Sequence, residues 1–126
     1  MTQNIFVVRF YVNLKMNKIA ISIAKDFSIH PGGRFKNEGP YSGEEFRELY
    51  ILPILNQYDN IIINLNGTRG YALSFFDEVF GFLIRENILN KKNFFKKITL
   101  ISSNLKYIND IKKIIDCAEA QKIENK

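Results

Sequence analysis

An apolar segment followed by a glycine-bracketed loop constrains this chain more than any other feature. Residues 60–65 read Asn-Ile-Ile-Ile-Asn-Leu, a nearly continuous apolar run that is typical of a central strand buried on both faces. Gly67-Thr68-Arg69-Gly70 follows directly. The next segment carries an apolar stripe at helical spacing, made of Phe76, Val79, Phe80 and Leu83. A strand that leads through a tight loop into a helix predicts an α/β domain.

The flanking segments repeat this alternation of strands and helices. Residues 5–12 and 18–24 are predicted strands that form a hairpin, and residues 97–102 are a further strand. A first helix begins after Ser42 and is kinked or ended by Pro53, and a last helix covers residues 105 to about 121. The order β-β-loop-α-β-loop-α-β-α indicates a mixed sheet with parallel pairs. We expect one domain over residues 1–126, with a frayed tail from 122.

Two helix starts carry capping patterns. Ser42 with Glu45, and Ser74 with Asp77, both show the spacing of a capping box. Ser74 is therefore either a plain cap or a hydroxyl that accepts phosphate at a helix N-terminus. Gly81 lies in the middle of the second helix, and a close approach of helix and sheet would explain a glycine there.

Composition and charge narrow the function classes. The 126 residues contain one cysteine, which predicts a reducing, cytoplasmic setting without disulfides. Residues 5–12 are too short and too charged for a leader, and no stretch is apolar enough to cross a bilayer, so we expect no membrane partner. The net charge of +5 comes largely from lysines in two groups, residues 91–97 and 106–113. These groups are either a solvated surface or a phosphate-binding face.

Catalytic and metal-binding arrangements are sparse. His30 and Cys117 are the only residues of their types and lie far apart in the sequence. Cys117 falls among core positions of the last helix, where we expect a small buried residue. The chain has too few histidines and cysteines for a zinc site. The sequence therefore predicts no catalytic residue, no metal site and no cofactor.

The loop of residues 31–43 is the second candidate site. It holds four glycines and two prolines, and Gly32-Gly33-Arg34 followed by Lys36 could cradle an anion. A tight structural turn with a solvated arginine is the alternative. Arg69 likewise either clamps an anion or pairs with a carboxylate. Tyr41 and Tyr71 either stack on a ligand or anchor their loops on the domain.

Two blocks of these residues resemble the STAS-like domain family of unknown function, which occurs in bacteria and mobile elements. The resemblance covers about residues 18–90. The blocks are Asp26-Phe27-Ser28, Pro31-Gly32-Gly33-Arg34 and residues 39–47, followed by residues 67–71 and 74–81. The resemblance implies a STAS-like α/β fold, with a mixed four- to five-stranded β-sheet and about three packed helices, like that of anti-sigma-factor antagonists.

The resemblance also implies a regulatory role. Anti-sigma-factor antagonists bind a GHKL-type ATPase and are phosphorylated on a serine at the helix that follows the central strand. Here the phosphoacceptor would be Ser74 or Thr68. The Asp-Ser-Ser-Gly signature of those proteins is replaced by Ala72-Leu73-Ser74-Phe75.

Three hypotheses follow from these features. The first is a non-enzymatic regulatory module that binds a protein partner, such as a GHKL-type ATPase, through residues 67–74 and 31–43. The second is a domain that binds a nucleotide or another small anion with Arg34, Lys36 and Arg69. Nucleic-acid binding through the lysines ranks last, because the sequence has no recognisable reading helix and no RNA-type aromatic sheet motif. The residues proposed to contact a partner or an anion are Gly32, Gly33, Arg34, Lys36, Tyr41, Thr68, Arg69, Gly70, Tyr71 and Ser74.

Overall fold

The structure, a computed structural model, describes residues 17–124, with side chains as far as Lys122. The predicted strand over residues 5–12, and its hairpin with the next strand, lie outside the described residues. The predicted strand over residues 18–24 is shorter than expected. It ends at Ser22, and a π-helical turn, Ile23–Phe27, follows it.

The described sheet has three parallel strands in the order β1-β2-β3. Their bounds are β1 (Lys18–Ser22), β2 (Asn60–Asn64) and β3 (Ile98–Ile101). The prediction that residues 60–65 supply the central strand is thus confirmed. A mixed sheet of four to five strands is not seen among residues 17–124. Both connections between these strands contain helices, and such crossovers join parallel strands.

Only one face of the sheet is fully buried. Ile61 and Ile63 are wholly inaccessible, whereas Ile62 between them is partly exposed. Its neighbours in register, Ala20 and Thr99, are exposed. The expectation that β2 is covered on both faces was wrong for the described residues. Side chains alternate along a strand, and the helical core residues share the face of Ile61 and Ile63.

Helix α1 occupies residues 43–51. It begins as an α-helix, Gly43–Phe46, and continues without a break as a π-helical segment, Arg47–Ile51. Ser42 caps it as predicted, because its Oγ accepts a hydrogen bond from the Glu45 amide at 3.1 Å.

Helix α2 occupies residues 73–85 and forms the centre of the core. Its parts are Leu73–Phe76, the π-helical Asp77–Gly81, and Phe82–Arg85. All four members of the predicted stripe are buried. The predicted cap at Ser74 was wrong: Ala72 occupies the N-cap position and Ser74 is the second residue of the helix. The sequence pattern misplaced the start because this helix has no side-chain cap.

Two further helices complete the described chain. Helix α3 (Lys91–Lys97) was not predicted; Asn90 caps it, and only Phe94 is buried. Helix α4 (Leu105–Glu124) follows β3 as expected and buries Ile111, Ile115 and Ala118. Cys117 is exposed, which corrects the expectation of a buried thiol. It neighbours Ala118 in the sequence but faces away from the core.

No helix within residues 17–124 combines the length and the apolar character that crossing a bilayer requires.

Candidate functional site

The glycine-rich loop of residues 31–43 folds back on itself. The Gly32 amide donates to the Tyr41 carbonyl at 2.7 Å, and the Gly43 amide donates to the Gly33 carbonyl at 2.9 Å. A Cβ on Gly32 would lie 2.5 Å from the Pro40 carbonyl oxygen, so the closed loop requires glycine at this position. The loop is an internally bonded segment, and the Phe35 and Lys36 amides also donate to carboxylates, those of Glu38 and Glu44.

Arg34, the proposed anion-binding residue of this loop, is paired with carboxylates of α2. Its Nη1 lies 2.5 Å from Asp77 Oδ2 and 3.3 Å from Glu78 Oε1. The hydrogen bond to Asp77 is the largest influence on Arg34 and raises its pKa, despite some desolvation. Arg34 therefore holds the loop on α2.

A second arginine reaches the same carboxylates from α1. Arg47 Nη1 lies 2.5 Å from Glu78 Oε2 and also donates to the Glu78 carbonyl at 2.7 Å. Both side chains are buried, and the Arg47 guanidinium stacks over the Phe82 ring at 3.6 Å. Stacking and bonds to two acceptors suit a guanidinium, which is weakly hydrated and planar. This pair ties α1 to α2.

A third arginine that pairs with these carboxylates belongs to α2 itself. Arg85 Nη1 lies 2.7 Å from Asp77 Oδ1, on the opposite side of the carboxylate from Arg34. The five residues form one chain of contacts, which we call the arginine–carboxylate network: Arg85, Asp77, Arg34, Glu78 and Arg47. By sequence alone, the carboxylates of Asp77 and Glu78 fit the role of helix-dipole partners on a solvent face, because both lie near the start of the predicted helix. Arg34 and Arg47 are 31 to 44 residues away from them, so no local pattern reveals these pairs.

The network also explains Gly81. A Cβ there would lie 2.6 Å from Asp77 Oδ1 and 2.7 Å from Arg85 Nη1. It would also lie 3.0 Å from a methyl group of Ile114 on α4. Gly81 therefore permits an ion pair to cross the helix surface and α4 to pack closely. The predicted close approach exists, but it is between two helices rather than between helix and sheet.

Asp77 is ionised against the effect of burial. Desolvation alone would raise the pKa of this carboxyl, but hydrogen bonds and charges from Arg34 and Arg85 outweigh it. The pKa of Asp77 consequently lies below its ordinary value. Asp77 is therefore negatively charged at neutral pH.

The second predicted loop, residues 67–70, is held at the carboxyl end of β2. The Arg69 amide donates to the Ile29 carbonyl at 2.7 Å, and the Gly70 amide donates to Thr68 Oγ1 at 3.3 Å. Gly70 has a φ of 126°, which strongly favours glycine. The Arg69 side chain is exposed and has no ion-pair partner among the described residues.

Both tyrosines anchor their loops. Tyr71 donates its hydroxyl hydrogen to the Leu65 carbonyl at 2.8 Å. Desolvation is the main cause that raises the pKa of Tyr71 to about 12. Tyr41 rests edge-on against the Phe27 ring, with 5.6 Å between centroids. Of the two alternatives that the sequence left open for these residues, the structure supports anchoring.

A groove of about 730 Å³ lies beside the network, between α2 and α4. The residues that line it come from the first loop, α2 and α4: Arg34, Phe35, Leu73, Ser74, Asp77, Glu78, Arg85, Asp110, Lys113, Ile114, Cys117, Ala118 and Gln121. Arg34 and Ser74 are thus the two predicted site residues that the groove brings together. The sequence did not predict that α4 lines this groove, because the exposed side of α4 was interpreted as a solvated helix face.

The other predicted site residues do not line this groove: Gly32, Gly33, Lys36, Tyr41, Thr68, Arg69, Gly70 and Tyr71. Lys36 forms an exposed ion pair with Glu48 on α1. Arg34 and Lys36 are therefore both paired with carboxylates, and a small anion would have to compete with those carboxylates for them.

Metal ligands are not grouped in the part of the chain that the structure describes, where no three His, Cys, Asp or Glu side chains could together hold an ion. His30 is exposed in a loop and is not among the groove-lining residues.

Comparison with known proteins gives one match. The model of a family described as a STAS-like domain of unknown function matches residues 42–107, just over half of the chain. No curated protein and no solved structure matches the chain significantly. The matched segment includes α1, the central strand, the 67–70 loop, α2 and β3. The family match confirms the family named from the sequence, but it begins at residue 42 and therefore does not cover the first block of the resemblance, residues 26–34. The chain belongs to the family of STAS-like domains of unknown function.

Proposed function

We propose that this domain is a non-enzymatic regulatory module that binds a protein partner in the groove between α2 and α4. The observation that carries the proposal is the meeting of both predicted regions at this groove. Arg34 and Phe35 come from the glycine-rich loop, and Leu73 and Ser74 lie where the 67–70 loop enters α2. A partner seated here would touch both regions at once.

The chemistry of the lining favours a protein surface over a small anion. Leu73 is 58% exposed and Phe35 is 42% exposed at the rim, and Ile114 and Ala118 contribute apolar floor. Exposed large apolar side chains around a concave surface are typical of interaction sites. The carboxylates of Asp77, Glu78 and Asp110 also line the groove and would repel an anion.

The nucleotide-binding alternative loses support from the same contacts. It relies on Arg34, Lys36 and Arg69 acting together. Arg34 and Lys36 already pair with carboxylates, and neither Lys36 nor Arg69 lines the groove. A ligand would have to displace existing ion pairs before it could bind.

We extend the proposal to the partner that the family resemblance implies, a GHKL-type ATPase that phosphorylates Ser74. Ser74 is only partly buried and shares the groove with Arg34 and Lys113. Asp77 and Glu78 line the same groove, so a phosphate on Ser74, with about −1.5 to −2 charges at neutral pH, would be repelled by them and would weaken the binding of a partner. Thr68 is the less favoured acceptor, because its Oγ1 already accepts the Gly70 amide.

The native thiol of Cys117 makes the groove directly testable. A benzophenone maleimide on Cys117 of the full chain places a photo-crosslinker inside the groove. We expect irradiation in extract of the source cell to yield a specific adduct, and the purified partner to reproduce it. Leu73→Asp should abolish the adduct, because a charge replaces an exposed apolar contact. Leu49→Asp is the matched control, since Leu49 on α1 is 60% exposed and lies outside the groove.

Two outcomes would count against the proposal. One is an adduct that survives Leu73→Asp and disappears with Leu49→Asp, since contact would then lie on α1. The other is a thermal shift with nucleotides that Leu73→Asp leaves unchanged, together with no adduct from Cys117. The proposal that Ser74 is phosphorylated has a separate test. With the partner and ATP, intact mass should rise by about 80 Da for one phosphate, and Ser74→Ala should prevent the increase.

A further inference from the structure

A second surface, which shares no lining residue with the groove, combines lysines with an aromatic ring. A helix turns by about 100° per residue, so Lys91, Lys92, Phe95 and Lys96 share one arc of α3. Phe94 points to the opposite side and is buried. The four residues of the arc are exposed, and Phe95 retains 39% of its accessible surface. The packing of α3 therefore covers only part of the Phe95 ring and leaves the rest accessible among the lysines.

The arc borders a small concavity between α3 and α4. This depression has a volume of about 270 Å³ and is lined by Lys91, Phe95, Lys112 and Asp116. We call it the lysine-rimmed depression. Its walls are mostly apolar, because they consist of the Phe95 ring and the aliphatic stems of the lysines. The Phe95 ring is set edge-on against buried Phe94, with 5.1 Å between centroids, which fixes its orientation.

The charge around the depression has one dominant sign. Lys91 and Lys112 line it, Asp116 is its one lining carboxylate, and exposed Lys92 and Lys96 lie next to Phe95 on the same arc of α3. Asp116 lies 2.7 Å from Lys91 Nζ, so this acid offsets one lysine and leaves the others to face solvent. An apolar concavity in a cationic rim is complementary to an apolar side chain flanked by acidic residues.

We propose that the lysine-rimmed depression binds an acidic peptide segment of a protein, through one apolar side chain that enters the depression. The proposal is independent of the groove between α2 and α4. Two interactions would contribute to the affinity. The apolar side chain of the peptide is buried against Phe95, and its acidic neighbours are attracted to the lysines.

The same features fit other polyanions less well. Arginines are absent from the lining, whereas base recognition relies on their bidentate hydrogen bonds. Single-strand binding stacks successive bases on several aromatic rings, and only Phe95 lines this depression. A bilayer surface would engage the lysines but would not require a concavity of one side chain's size.

A pair of model peptides tests the proposal with the full chain. The probe is a short fluorescein-labelled peptide of glutamate and aspartate with one central phenylalanine, and its partner probe has alanine instead. We expect the phenylalanine peptide to bind about tenfold tighter by fluorescence anisotropy at low salt, since burying a phenyl ring contributes at least about 1.4 kcal/mol. Phe95→Ala should remove this difference. Lys92→Glu/Lys96→Glu should weaken both peptides by about fivefold or more.

The matched control is Lys18→Glu/Lys25→Glu, which makes the same change in net charge beside the opposite edge of the sheet. We expect this control variant to bind each of the two peptides with an affinity within about twofold of the unsubstituted chain, since exposed charges at a distance are largely screened. Leu73→Asp should likewise have no effect, which separates this surface from the groove. Equal affinities of the two peptides would overturn the proposal. So would tighter binding of a single-stranded oligonucleotide or of phosphatidylserine vesicles that is lost in the Lys92→Glu/Lys96→Glu variant.

Discussion

Gly43 is a point of close contact between α1 and α2. A Cβ at this position would lie 2.7 Å from the Phe75 carbonyl oxygen and 3.0 Å from Glu78 Cβ. The first of these atoms belongs to the backbone of a buried helix and cannot move without displacing the core. The close approach brings the start of α1 within reach of the network on α2.

We predict that Gly43→Ala lowers the free energy of unfolding by about 1 to 3 kcal/mol, the usual effect of overpacking a tight contact. Urea denaturation measures the change. Gly33→Ala in the same loop is the control, because the nearest atom to its Cβ would be Glu38 Oε1 at 3.6 Å. Equal destabilisation by the two substitutions would show that loop conformation, rather than the contact with Phe75, limits residue size.

Arg34 shows what residue patterns can and cannot predict. Its place after two glycines predicted either part of an anion cradle or a solvated arginine in a tight turn, and an ion pair within the protein was not predicted. The sequence does not reveal such a pair, because a guanidinium suits a ligand phosphate and a protein carboxylate equally. Its partners Asp77 and Glu78 lie 43 and 44 residues away in the sequence. Only the packing of the loop on α2 decides between the two.

At the scale of elements, the network coincides with the π-helical parts of both helices. Arg47 is the first residue of the π-helical segment in α1, and Asp77 and Glu78 begin the one in α2. Such segments are uncommon and often occur at functional positions. Neither was predicted, since helical periodicity in a sequence does not distinguish a local change in hydrogen-bond register.

The pair of Arg47 and Glu78 should dominate the docking of α1 on α2. Arg47→Met leaves the Glu78 carboxylate buried with a weaker partner, and we predict a loss of about 3 to 5 kcal/mol in unfolding free energy. Arg47→Met/Glu78→Leu should recover part of that loss, because it removes the isolated charge. A double-mutant cycle by chemical denaturation measures the coupling. A double variant less stable than the sum of the single changes would contradict this account.

Helix prediction succeeded where apolar periodicity was long and failed where it was short. The stripe on α2 and the buried residues of α4 followed from spacing alone. Helix α3 was missed, because seven residues with one buried side chain carry almost no periodic signal. Helical spacing predicts Phe46, Leu49 and Tyr50 on the same side of α1. Phe46 is buried and Tyr50 packs against the core as that spacing predicts, but Leu49 is exposed. Short elements are fixed by tertiary contacts rather than by their own sequence.

For the whole molecule, acid should weaken the fold through the network. The pKa of Asp77 is lower in the folded chain than its ordinary value. A carboxyl with a depressed folded pKa contributes stability that is present above its unfolded pKa and is lost as pH falls through the folded pKa. We therefore predict that the free energy of unfolding declines below about pH 4, the ordinary value for aspartate. Asp77→Asn should flatten part of that decline in denaturation measured across pH. An unchanged slope would show that Asp77 does not couple protonation to folding.

The general fold was predictable because it depends on the order of strong patterns. The central strand, its loop and the apolar helix after it were visible in the sequence, and they fall within the segment that the family model matches. The groove was not predictable. It depends on the side chains that α4 turns towards α2, and Cys117, Lys113 and Gln121 carry no signal of that contact in sequence. The same holds for Leu73, which precedes the apolar stripe and remains exposed.

Asp77 divides its two oxygens between Arg34 on the loop and Arg85 near the end of α2. A carboxylate held on both sides binds each neighbour less strongly than it would bind either alone. The strength of the Arg34–Asp77 ion pair, which holds the glycine-rich loop on α2, consequently depends on a residue outside the loop. Substitution of Arg85 should therefore change how strongly that loop is attached to α2, although no residue of the loop itself is altered.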